Sequence, residues 1–156
     1  MWDFQFGGHA PWARISHNSS LNSSLCASIN FMSESIIQRK SFDFAVKITQ
    51  LCRSLRTKEK EFILTSQLLR SGTSIGANVR EALNGQSTRD FIYKMTVAQK
   101  ECDETRYWLD LLHATDFVSR TEYEILHASA TELLRMLRSI ILTSKTKQLN
   151  LQSPDR

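Results

Sequence analysis

The chain has 156 residues, of which 41% are hydrophobic, with a formal net charge of +4 and an isoelectric point near 9.1. That is enough for one domain with a buried core, and basic enough to permit an anionic partner without requiring one. Five glycines and two prolines argue against many short strands and turns and favour long helices, while no run approaches the roughly 18 apolar residues of a membrane span.

Cysteines stand at Cys26, Cys52 and Cys102. An odd count without a CxxC pair argues against a disulfide framework and a zinc cage, so no cofactor or metal is expected. Cys52 and Cys102 fall on apolar helical stripes, where a thiol acts as a small hydrophobe. A reducing cytoplasm is the expected compartment.

Residues 1–31 are of a different kind. From Ser16 to Asn30 the chain is rich in Ser and Asn and has no helical period. It lacks the basic start and continuous apolar core of a signal peptide. The expectation is that Met32 is the natural start and that 1–34 is a disordered extension. The bundle should occupy 35–147, with 148–156 a frayed tail.

Four helices follow. The first is predicted from about Ser41 to Arg56, with Phe44, Ile48, Leu51 and Leu55 on one face. Ser41 is its expected cap, with Asp43 in the first turn. The second is predicted from about Glu59 to Asn84, with Leu64, Leu68, Ile75, Val79 and Ala82 inward. Its middle reads Ser71-Gly72-Thr73-Ser74-Ile75-Gly76-Ala77-Asn78. Each glycine costs a helix roughly 1 kcal/mol relative to Ala. The helix is nevertheless kept whole, because two fragments would be too short to stand alone. Gly72 and Gly76 share a face that admits a neighbouring backbone, so added bulk should be refused at both.

The third helix is predicted from Thr88 to about Thr115. Phe91, Met95, Ala98, Cys102, Thr105, Leu109 and Leu112 step by four and three, a sustained heptad seam. Ser87 to Asp90 is its capping-box variant, and Ser119 to Glu122 is the next box. The fourth helix is predicted to end near Thr143, with Ile125, Ala128, Leu133, Met136, Leu137 and Ile140 as its core. Short links make consecutive helices antiparallel, so the fold class is all-α, an up-down-up-down four-helix bundle.

If helices two and three rise equally from a turn near residues 85 and 86, polar groups meet across them. Arg70 then faces Glu101, Gln67 faces Glu104, Asn78 lies near Tyr93 and Lys94, and Glu81 is within a turn of Lys94. With Ser74 these form a polar network. Its ordinary role is to fix register, each buried group having a mate, rather than to perform catalysis.

A di-metal carboxylate site is the sharper alternative in such a bundle. The chain has Glu124-Ile125-Leu126-His127 and Asp110-Leu111-Leu112-His113, but both flank one turn at an end of the bundle. His113 is expected opposite Glu122, as a surface pair. Cys102 and His113 are three turns apart, roughly 16 Å of rise, too far for a catalytic pair.

The run from Gln67 to Ala82 resembles the signature of the small four-helix-bundle proteins related to those encoded in intervening sequences of bacterial 23S ribosomal RNA genes. Asp90-Phe91-Ile92, Ala98 and Glu101-Cys102-Asp103-Glu104-Thr105-Arg106-Tyr107-Trp108-Leu109 resemble its second motif. The likeness spans about Phe42 to Lys147. That family includes the accessory variability protein of diversity-generating retroelements, a ring-shaped homopentamer that binds nucleic acid and a reverse transcriptase through basic surface. The resemblance implies a homo-oligomer, a pentamer, without catalysis. It also implies an RNA or DNA partner, and a reverse transcriptase where one is encoded nearby. The competing readings are an assembly module that binds only protein and a metal-dependent enzyme.

Alternating helix directions gather Arg39, Lys40, Arg80, Arg89, Lys94, Lys145 and Lys147 at one end, against Glu34, Asp43, Glu81 and Asp90. The other end gathers Arg53, Arg56, Lys58, Lys60 and Arg120 against Glu59, Glu61, Asp116, Glu122 and Glu124. The first end carries the excess, and it is the expected nucleic-acid-binding rim.

Overall fold

Apolar stripes of helical period become four helices. The structure, a computed structural model, describes residues 35–152. The helices are α1 (Ile36–Lys58), α2 (Ile63–Leu83), α3 (Thr88–Ala114) and α4 (Arg120–Gln152). Met32, Glu34 and the N-terminal extension lie outside the described residues, as do 153–156.

Each helix packs on the next, and α1 also meets α4, which closes the bundle. Cross-helix pairs give the directions. Cys52 approaches Thr65, while Gly72 abuts Ile48. Arg70 reaches Glu104 and Glu81 reaches Lys94. Cys102 meets Ala130, and Asp110 meets Tyr123. In every case residue numbers fall along one helix as they rise along its neighbour, so these neighbours are antiparallel.

The seam of α3 is buried as expected: Met95, Ala98, Cys102, Thr105, Leu109 and Leu112 are fully enclosed, with Phe91 packed at its edge. Phe44, Ile48, Leu51 and Leu55 of α1 face it across the core, as do Leu68, Ile75, Val79 and Ala82 of α2. α2 is unbroken through its glycines. At Gly72 the side chain of Ile48 occupies the space a Cβ would need.

Three boundaries differ from expectation. α1 starts a turn and a half before Ser41, because Ile37 extends its apolar stripe and is buried. Ser41 is therefore no cap. It is enclosed mid-helix, and its hydroxyl donates to the Gln38 carbonyl at 2.9 Å. α2 begins at Ile63 rather than Glu59, because Lys60 adopts a left-handed φ of 57° that no helix continues. The Glu61 carboxylate then accepts from the N–H groups of Ile63, Leu64 and Thr65, at 3.0, 3.0 and 2.9 Å. This satisfies donors that a helix start leaves orphaned. At the start of α3, Ser87 caps as expected, accepting from the Asp90 N–H at 3.1 Å.

α4 departs most. Its buried stripe is Leu126, Ala130, Leu133, Leu134, Leu137 and Ile141. Ile125 and Ala128 are exposed, and Met136 and Ile140 are only half-buried. Two adjacent apolar stripes run along this helix, and period alone does not say which one faces inward. The helix also continues to Gln152 rather than ending near Thr143. By the Cys102–Ala130 pairing and equal rise, the start of α3 stands level with Ser144. The segment 145–152 therefore projects past α3 by about two turns.

Candidate functional site

Between α2 and α3 the polar ladder is present, but it is shifted by nearly a turn from the expected register. Arg70 is its centre. Its guanidinium binds the Glu104 carboxylate and lies 3.6 Å from Glu101. Trp108, one turn after Glu104, donates its indole N–H to the same carboxylate at 3.0 Å. About three turns nearer the connecting loop, Lys94 Nζ donates to Glu81 at 2.5 Å. That bond holds the lysine above its ordinary pKa.

The two acids beside Arg70 have opposite characters. The side chain of Glu101 is 18% exposed, and burial raises its pKa against the pull of Arg70. Its Oε2 has no hydrogen-bond partner. The Trp108 hydrogen bond lowers Glu104, aided by Arg70 and opposed by burial. One arginine thus serves two carboxylates, fully satisfying only the outer one.

Other expected members sit elsewhere. Gln67 is half-buried a turn before Arg70, and Arg70 rather than Gln67 holds Glu104. Asn78 does not reach Tyr93 or Lys94. Its amide donates to the Ser74 carbonyl of its own helix at 2.9 Å. The shift arises because the link from Asn84 to Ser87 is not helical. Equal rise from its midpoint therefore misplaces both helices.

At the basic end the cations divide. Lys40 is a strut from α1 to α4, 2.8 Å from Glu132, and Lys94 is bound to Glu81. Arg39, Arg80, Arg89, Lys145 and Lys147 are exposed, with no ion pair among the described residues. Of the acids expected there, Asp43 and Asp90 are likewise without one among the described residues. The excess persists after pairing, five cations against two acids. Lys145 and Lys147 are not on the rim itself. They ride on the projecting part of α4.

At the opposite end Arg56 links two helices. It is half-buried and donates to the hydroxyls of Thr65 and Ser66, at 3.0 and 2.9 Å, tying α1 to α2. Where α3 meets α4, His113 does not face Glu122. Its ring stacks on Tyr123 with centroids 4.4 Å apart, and its Nδ1 is 3.1 Å from the Val118 carbonyl. The Tyr123 hydroxyl donates to Asp110 at 2.9 Å, and His127 lies 3.8 Å from the same carboxylate. Glu124 is turned away onto Arg120. Glu124 and His127 thus do not converge with Asp110 and His113 on one point. Among the described residues no group of three or more His, Cys, Asp or Glu is placed to hold a metal.

Sequence reading missed Arg56, Trp108 and Tyr123. The spacing of Glu104 and Trp108, four apart on one helix, was the available signal for one of them. Cys52 and Cys102 are both buried. Burial pushes Cys52 up to about 11 and Cys102 up to about 12. No described helix is long and apolar enough to cross a membrane.

Comparison with known proteins places this arrangement. The family model for the 23S rRNA-intervening sequence protein matches residues 33–139. A crystal structure of a protein of unknown function from the S23 ribosomal protein family, from Bacteroides thetaiotaomicron, is 48% identical. That similarity covers 68% of this chain and 98% of the other, with a TM-score of 0.67. No curated protein matches.

Proposed function

The chain belongs to the 23S rRNA-intervening sequence protein family, and from that premise we propose that it is a non-catalytic, self-assembling bundle that binds RNA through its basic end. The observation that carries this reading is the unpaired charge. Arg39, Arg80, Arg89, Lys145 and Lys147 stand exposed where α1 and α3 start and α2 and α4 end, while the acids Glu81 and Glu132 are already taken. In a ring of copies, with five as the number implied by the resemblance, each copy would repeat that excess and focus a positive field on a polyanion. A reverse transcriptase is a partner under this reading only where one is encoded beside the gene. The compartment proposed is the cytoplasm, where unpaired Cys52 and Cys102 stay reduced.

The second reading is a protein-only assembly module. What favours it is the groove between α1 and α2, where exposed Phe42 and Val46 flank Ala77 and Gly76. Two measurements separate the readings: the mass of the assembly by light scattering, and RNA affinity across a salt series. The charge-reversal pair is Arg80→Glu with Arg89→Glu, against Arg53→Glu with Lys58→Glu at the other end. The RNA reading expects the first pair to lose far more affinity and to show a shallower salt slope. Equal losses would move the contact off this end. No binding by the parent at low salt would leave only assembly.

A further inference from the structure

The outward face of α3 carries a pattern that starts at the rim, with Arg89, and runs on beyond it. Arg89, Tyr93, Lys100 and Tyr107 are spaced by four, seven and seven, so they lie along one face of the helix. All four are exposed, Tyr93 at 62% and Tyr107 at 58%. A single exposed aromatic needs no explanation. Two of them, interleaved with two cations along about 27 Å of helix, form a different kind of surface.

The charge around this face is suited to a polyanion. Among the described residues no carboxylate pairs with Arg89 or Lys100. Of the two acids one turn on from Lys100, Asp103 is shared by Arg106 and Arg138, each at 3.7 Å, and Glu104 is bound by Arg70 and Trp108. Tyr107 is held edge-on by Trp108, with ring centroids 5.0 Å apart, and Trp108 is itself fixed by its bond to Glu104. Tyr107 thus has a fixed neighbour and remains exposed. The face begins at Arg89, so it continues the basic end down the side of the molecule. The groove at Phe42 and Val46 has one ring and one cation, Arg80, with Glu81 beside it.

Resting on the RNA reading above, we infer that this face of α3 is a stacking track for single-stranded RNA. Arg89 and Lys100 neutralise phosphates, and the two tyrosine rings receive unstacked bases. A ring stacks on any base, so the track selects for single strands rather than for sequence. Tyr93 and Tyr107 are about 21 Å apart in rise, so they would meet different nucleotides of one strand. A duplex keeps its bases stacked and would gain only from the cations.

The test uses the full chain with two probes, fluorescein-labelled oligouridine and a blunt RNA duplex of equal length. Tyr93→Ala with Tyr107→Ala should weaken oligouridine binding by about tenfold or more. Duplex binding should hold within about twofold, and the salt slope should be unchanged because no phosphate contact is lost. Tyr93→Phe with Tyr107→Phe keeps the rings and should bind like the parent. Lys100→Glu should weaken both probes and flatten the slope. Light scattering and circular dichroism should show the same assembly and helix content throughout. The inference falls if the Ala and Phe pairs bind oligouridine alike, or if the Ala pair weakens both probes equally. It falls too if the Ala pair changes the assembly mass, since the face would then belong to a second copy. If the parent binds neither probe at low salt, the RNA reading falls with it. If the parent binds and the tyrosine variants have no effect, the inference alone is wrong.

Discussion

A methyl group on Gly72 would stand 2.8 Å from Cγ2 of Ile48, a side chain with no exposed surface. Ile48 cannot retreat without disturbing the core. Gly72→Ala should therefore destabilise by about 1–3 kcal/mol, despite the better helix propensity of Ala. Gly76 is different from the sequence expectation. A methyl there would lie 3.4 Å from the Ser41 carbonyl, an ordinary contact. Gly76→Ala should be neutral or stabilising by up to about 1 kcal/mol. Urea midpoints decide it, and equal losses at both positions would contradict the packing described.

Glu101 and Glu104 should give opposite slopes of stability against pH. Burial raises Glu101 above 4.5, so its contribution is complete below that value and is lost as pH rises through the higher folded pKa. Glu104 is held below 4.5, chiefly by Trp108. Its contribution is present above 4.5 and is lost as pH falls through the lower folded pKa. Glu101→Gln should remove the loss on the rising side, and Glu104→Gln the loss on the acid side. Denaturant unfolding from strongly acidic to neutral pH measures both.

Arg70→Ala and Arg56→Ala should both cost about 1–2 kcal/mol, since each arginine is only partly buried and makes charge-assisted contacts. Acid distinguishes them. Protonating Glu101 and Glu104 removes the partners of Arg70, so its cost should shrink at low pH. Arg56 binds two hydroxyls, and its cost should not change.

Cys52 and Cys102, with pKa values pushed up to about 11 and 12, should resist thiol reagents in the folded protein. Labelling followed by mass spectrometry of peptides should find both unmodified until denaturant is added. Rapid native labelling of either would show that the core opens there.

Lys60 occupies the left-handed region at the end of α1, a conformation that costs an L-residue roughly 1–2 kcal/mol. Lys60→Gly should stabilise the protein by up to about 1 kcal/mol, read as a higher melting temperature. A lower melting temperature would show that the lysine side chain contributes more than the strain.

Much of this was legible in the chain. The seam of α3 repeats at every third or fourth position without interruption, so it admits one inward face. α2 could be kept whole because helix length outweighs two glycines. What failed depends on geometry that period does not encode. In α4, Ile125 and Leu126 begin equally plausible stripes, and only contact with Cys102 and the rest of the core selects the second. Arg70–Glu101 and Glu81–Lys94 survived a register error because long side chains reach across a turn. Asn78 is short, bonds within its own helix, and was misplaced. His113 was misjudged because Asp116, at a φ of 61°, reverses the chain more tightly than a helical extrapolation allows.

The projecting turns of α4 have a dynamic consequence. Among the described residues no partner helix stands level with 145–152 to shield them, and so short a segment is barely self-sustaining. Its amides should exchange with solvent deuterium almost without protection, while those near Cys102 exchange only on global opening. With so little protection, Lys145 and Lys147 should sweep a volume instead of marking a point. A passing strand would encounter that volume before it met the fixed arginines, widening the target for capture at the cost of ordering the segment on contact.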